Sequence, residues 1–66
     1  MQIQLNGEPK TLEKSTTIAE MVTELALDSR KIAIERNREI VPKSAYATTS
    51  LSPADEIEIV AFIGGG

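Results

Sequence analysis

Three consecutive glycines, Gly64, Gly65 and Gly66, close the sequence directly behind the run Ile57-Glu58-Ile59-Val60-Ala61-Phe62-Ile63. Isoleucine, valine and phenylalanine suit a pleated, half-buried surface, whereas glycine forfeits backbone entropy and packs nothing. The spacing predicts a strand that ends at Ile63 and hands a bare carboxylate to a partner on a tail over 64–66. Three extended residues span at most about 10 Å, and without side chains they fit a slot that any Cβ would obstruct. The α-carboxyl, with an ordinary pKa of about 3.3 to 3.7, is an anion at neutral pH and a poor electrophile. It reacts only once activated. Coupling to AMP supplies a leaving group, after which a sulfur donor can convert the end into a thiocarboxylate. A frayed terminus or a cloning remnant is the plain alternative for a glycine end.

The rest of the composition offers that carboxylate no competitor. Neither Cys nor His is present, which removes thiolate nucleophiles, redox pairs, disulfides and the usual zinc sites together. The paired acids Asp55-Glu56 and Glu56…Glu58 read as solvated turn and strand positions rather than an acid–base pair or a metal site. The glycines precede no helix and no Lys follows them, so they are not a phosphate loop. The expectation is a carrier rather than an enzyme, with no cofactor of its own. Ten acidic against seven basic residues give a net charge of −3, which opposes the attraction that nucleic acids and anionic membranes rely on. Two aromatics, Tyr46 and Phe62, build no stacking platform for bases. No apolar run approaches membrane length, and the alternating pattern begins at Met1, so no leader is expected and the expected setting is the cytoplasm.

The elements that must position the tail are short, because 66 residues allow one domain that buries only about 60% of its unfolded surface. Met1 to Leu5 alternates with period two, and Asn6-Gly7 is a type I′ hairpin signal. A second strand should return through Lys10 to Glu13, and Pro9, lacking an N–H, confines it to a sheet edge. Thr17 with Glu20 forms a capping box for a helix whose stripe is Ile18, Met21, Val22, Leu25 and Ala26, with Met21 as core filler. Asp28, Ser29 and Arg30 make the exit. Ile32 to Ile34 and Ile40-Val41 are short strands around the turn Arg36-Asn37-Arg38, whose charges, with Glu35 and Glu39, read mainly as solvated. Tyr46 is expected half-buried with its hydroxyl in water. Leu51 to Asp55 is a turn with Pro53 at its first corner.

Along the last strand Ile57, Ile59, Ala61 and Ile63 should face the core, leaving Val60 and Phe62 as a candidate docking patch or as ordinary packing. One helical stripe on one sheet face is an α+β arrangement, with the final strand beside the first. The result is a β-grasp (ubiquitin-like) domain, a mixed sheet packed on one helix, over 1–63, followed by a flexible tail over 64–66.

Met1-Gln2-Ile3, the stretch Ile34-Glu35-Arg36-Asn37-Arg38-Glu39-Ile40-Val41-Pro42, and Asp55-Glu56-Ile57-Glu58-Ile59-Val60 closing on Gly64-Gly65-Gly66 together resemble the ThiS family, the sulfur carriers of thiamine biosynthesis. That resemblance implies that Gly66 is adenylated by an E1-like enzyme using ATP and then converted to a thiocarboxylate. A sulfur donor enzyme would supply the sulfur, and thiazole synthase would receive it. It also implies partner contacts around Val60 and Phe62 and a monomer when free. Arg38 and Ala54 depart from the family, standing where many members have Gly, which puts both turn types in question. The rivals are the small subunit of molybdopterin synthase, a modifier joined to lysines, and a noncovalent ubiquitin-like interaction module. Phe62-Ile63, where molybdopterin chains carry prolines, favours the thiamine role.

Overall fold

In the computed structural model, which describes residues 1–12 and 16–62, Asn6 and Gly7 both take positive φ, 51° and 82°. They turn β1 (Gln2–Leu5) into β2 (Glu8–Thr11), with Leu5 opposite Glu8. The return strand thus starts earlier than expected, at Glu8 rather than Lys10, because a two-residue turn lets pairing begin at once. Glu13, expected to end that strand, and the stretch Ile63 to Gly66 lie outside the described residues.

Two further strands, β3 (Ile32–Arg36) and β4 (Glu39–Val41), and a last one, β5 (Glu56–Ala61), complete a five-stranded sheet of order β2-β1-β5-β3-β4. β1 and β5 run parallel and the other neighbours antiparallel. Pro9 therefore sits on an edge strand, and the final strand fills the free side of the first. This is the expected β-grasp sheet with one helix across it.

That helix, α1 (Ile18–Glu24), starts as the capping box predicts. The Glu20 N–H donates to Thr17 Oγ1 at 3.1 Å and the Thr17 N–H to Glu20 Oε1 at 2.9 Å. It ends sooner than the stripe suggested. Ala26 has φ 58°, its N–H bonds the Thr23 carbonyl, and the Leu27 N–H bonds the Val22 carbonyl. This is a Schellman closure with alanine in the left-handed position that glycine usually holds. Ala26 consequently faces solvent, while Leu25 still packs on the core.

The core joins Ile3, Leu12, Ile18, Met21, Val22, Ile32, Ile34, Tyr46, Leu51 and Ile57. Tyr46 corrects the expectation of a half-buried anchor: it is 4% exposed, and burial raises the pKa of its phenol. Its neighbours Ser44, Ala47 and Thr48 are exposed, but the segment brings Tyr46 inward where it caps the helix. The carbonyls of Thr49 and Tyr46 accept the N–H groups of Ile18 and Ala19, both at 2.9 Å, leaving fewer donors orphaned at the helix start.

Ala26 and Ala54 (φ 70°) both carry a Cβ where the left-handed backbone penalises it by about 1–2 kcal/mol. Changing either to glycine removes that penalty at a smaller entropic cost in the unfolded chain. Each of Ala26→Gly and Ala54→Gly should raise stability by about 0.5–1 kcal/mol in urea titration, the reverse of the usual effect of glycine.

Candidate functional site

The site is built on β5, the strand that leads into the glycines, and its base is fixed by one carboxylate. Asp55, expected to be solvated, is 6% exposed. Its Oδ2 accepts the Arg36 Nε–H and the Ser52 N–H, each at 2.8 Å, and its Oδ1 accepts from Asn37 Nδ2 at 3.1 Å. Asn37 in turn reaches β5, its Oδ1 accepting the Glu56 N–H at 2.9 Å while its own N–H donates to the Glu56 carbonyl at 2.7 Å. Burial works against the charge of Asp55, but the Ser52 N–H, the Arg36 guanidinium and the Asn37 amide outweigh it and hold the carboxyl below its ordinary range.

Two turns are set by this arrangement. Ser52 to Asp55 closes through the Asp55 N–H to the Ser52 carbonyl at 3.1 Å, with Pro53 at the first corner and Ala54 at the positive-φ second corner of a type II turn. Between β3 and β4, Asn37 and Arg38 have φ 51° and 71°, the pattern of a type I′ turn. Both positions where the sequence departs from glycine thus keep the left-handed backbone. The expected solvated charge at this turn holds for Arg38, which is exposed, but not for Arg36, which is committed to Asp55.

Beside β1, Asn6 ties the opposite flank of β5. Its N–H donates to the Ile57 carbonyl and its Oδ1 accepts the Ile59 N–H, both at 2.8 Å. On the far side β5 pairs with β3 from Arg36↔Ile57 to Ile32↔Ala61. Phe62 prolongs that pairing by donating its N–H to the Lys31 carbonyl at 2.8 Å.

Alternation along β5 buries Ile57 and half-buries Ile59, as expected, while Ala61 is exposed because the core ends before it. Val60 and Phe62 are 59% and 53% exposed, which removes core packing as the account of Phe62. Residues directly opposite share a face, so Val60 lies with Ala33, Glu58 with Glu35, and Glu35 with Ile40. The sheet face away from α1 therefore carries exposed Val60 and Ile40 beside Glu35, Glu56 and Glu58. Glu35 and Glu58 oppose each other directly, a pairing that costs stability. The predicted tail residues Gly64, Gly65 and Gly66 lie outside the described residues. Lys43, whose ammonium sits 5.5 Å from the centroid of the Phe62 ring, carried no sequence signal, since its segment has no period.

The model of the ThiS family matches residues 3–66. The chain belongs to the ThiS family. It is 40% identical to the sulfur carrier protein ThiS of Bacillus subtilis over 65 residues, covering 97% of this chain and 98% of that protein. It is 52% identical over 66 residues to the thiazole synthase of Paramagnetospirillum magneticum, but spans only 20% of that protein's length. The crystal structure of the ThiS thiamine biosynthesis protein of Geobacter metallireducens superposes with a TM-score of 0.87 at 28% identity, each chain fully covered.

Within this ThiS-family chain, the Asp55 contacts generate a stability prediction. Asp55→Ala strands the Arg36 charge and two polar donors, and should cost about 3 kcal/mol in denaturant unfolding. Because the folded pKa lies below the unfolded one, the contribution is complete above about pH 3.9 and is lost as pH falls through the folded value. The wild-type acid transition should therefore be steeper than that of Asp55→Ala.

Proposed function

We propose that this chain is a sulfur carrier of thiamine biosynthesis whose Gly66 carboxylate is the group that reacts. The observation that carries the reading is the match, over 97% of this chain, to a sulfur carrier protein ThiS, joined to a folded body whose last strand precedes the glycines in sequence and leaves Val60 and Phe62 exposed. In the proposed sequence a carboxylate oxygen of Gly66 attacks the α-phosphorus of ATP on an E1-like adenylating enzyme. Pyrophosphate leaves, and a mixed anhydride with AMP remains. A hydrosulfide equivalent from a sulfur donor enzyme then adds to the acyl carbon, AMP departs with the bonding pair, and oxygen has been exchanged for sulfur. The chain is a co-substrate in these steps and not their catalyst, and we place it in the cytoplasm as a monomer when free.

Thiazole synthase is the proposed acceptor. Support comes from relatives named thiazole synthase that contain a stretch homologous to this whole chain within a longer polypeptide. Val60 and Phe62 are the proposed contact for these partners. An exposed aromatic is a poor investment for a monomer's stability, whereas aromatic side chains are enriched in the buried centres of interfaces. The ThiS match supports the thiamine role over the molybdopterin one.

With the adenylating enzyme, ATP and a sulfide source, the intact chain should gain about 16 Da, the difference between sulfur and oxygen. Deleting Gly66 should abolish the gain while leaving the circular dichroism spectrum unchanged; an unmodified wild-type chain would contradict the proposal. Phe62→Ala should leave unfolding within about 0.5 kcal/mol of wild type, as an exposed side chain does. In titration calorimetry against the adenylating enzyme the same variant should bind at least about tenfold more weakly, the loss of one interface anchor.

A further inference from the structure

Phe62 stands just past the end of β5, yet it is held from two directions. Its backbone N–H bonds the Lys31 carbonyl at 2.8 Å, and the Lys43 ammonium lies 5.5 Å from its ring centroid. The sheet order places β3 between the strands these residues follow: Lys43 comes after β4 by way of Pro42, and Phe62 comes after β5. The Lys43 side chain therefore reaches past the start of β3, toward a strand about two spacings of 4.8 Å away. Lys43 takes no part in the three ion pairs found among the described residues, although acids outnumber bases on this chain.

A cation over an aromatic face is attracted by the ring's quadrupole, and at an exposed site this is a weak but orienting contact. Here it bears on the last described residue before the segment Ile63 to Gly66. Four residues extend at most about 14 Å, so wherever Phe62 is fixed, the carboxylate is confined to a sphere of that radius about a defined centre. Loosening Phe62 adds its own excursions to that sphere and dilutes the carboxylate at any one partner site.

We propose that Lys43 is a positioning residue for the reacting carboxylate: by holding the Phe62 ring it fixes the point from which residues 63–66 continue. It touches neither the carboxylate nor the nucleotide in this account. It acts through Phe62, and it rests on the sulfur-carrier reading given above. Its effect is on encounter with the adenylating enzyme and not on the chemical step.

The test compares Lys43→Met, which keeps the apolar stem and removes the charge, with Lys43→Arg, which keeps a cation. In the wild type the Lys43 ε-methylene protons should be shifted upfield by the ring current of Phe62. In Lys43→Met the NMR order parameter of the Phe62 amide should fall, and in Lys43→Arg it should return. Adenylation of Lys43→Met should show KM raised about two- to fivefold, the size of an exposed cation–π contact, with kcat unchanged and with Arg restoring KM. A wild-type order parameter and KM in Lys43→Met, or a KM rise that Arg does not restore, would overturn the proposal. Should the wild-type chain fail to be adenylated at all, the sulfur-carrier reading falls, and the order-parameter comparison still decides whether Lys43 holds the tail's point of departure.

Discussion

Asp55 is the constraint on which the placement of β5 depends. A carboxylate this buried is unfavourable unless its lone pairs are used, and here they are met by a backbone N–H, a guanidinium and an amide drawn from two separate turns. Because Asn37 also bonds both backbone groups of Glu56, the first residue of β5 cannot shift register without breaking the set. A one-residue slip would turn Ile57 outward and put Glu58 and Val60 against the helix. The location of the exposed pair Val60 and Phe62 is thus decided at the opposite end of the strand from where they lie.

The opposite flank of β5 is held by a different device. Its parallel pairing with β1 covers only Gln4↔Glu56 and Leu5↔Ile57, a short ladder, and Asn6 lengthens it with backbone and side-chain bonds to Ile57 and Ile59. Asn6 and Asn37 play corresponding parts: each sits in a turn at positive φ, where asparagine is tolerated, and each spends its amide on β5. Between them the last strand is fastened on both sides close to its start, and antiparallel pairing with β3 carries the order on to Phe62.

What could be read from the sequence were features whose cause is local. The Asn6-Gly7 turn, the Thr17…Glu20 capping box, the edge placement of Pro9 and the alternation of β5 each follow from residues within a few positions of one another. The Asp55 set was illegible because its partners Arg36 and Asn37 lie 19 and 18 residues away, and the acid pair Asp55-Glu56 at the start of a strand reads as solvated. Tyr46 was misplaced for a related reason: its segment has no period, and it is buried because its carbonyl and that of Thr49 cap a distant helix. The early end of α1 reflects a left-handed alanine that no propensity would suggest. Of the candidate site, period two set Val60 and Phe62 on the face away from the core residues but left docking and packing open until their exposure was seen, and the contact of Lys43 with Phe62 had no sequence signal.

Under the proposed function the folded body anchors and presents, and the reacting group is the Gly66 carboxylate. The arrangement suits a chain lacking thiol and imidazole, whose amines are then the main groups on the body that compete for an activated acyl group. Tandem mass spectrometry of the chain after reaction with the adenylating enzyme, ATP and sulfide tests this division directly. The account predicts that every fragment carrying the added mass contains Gly66. Added mass on a fragment lacking Gly66, or a chain linked through Gly66 to a lysine and bearing no sulfur, would contradict it.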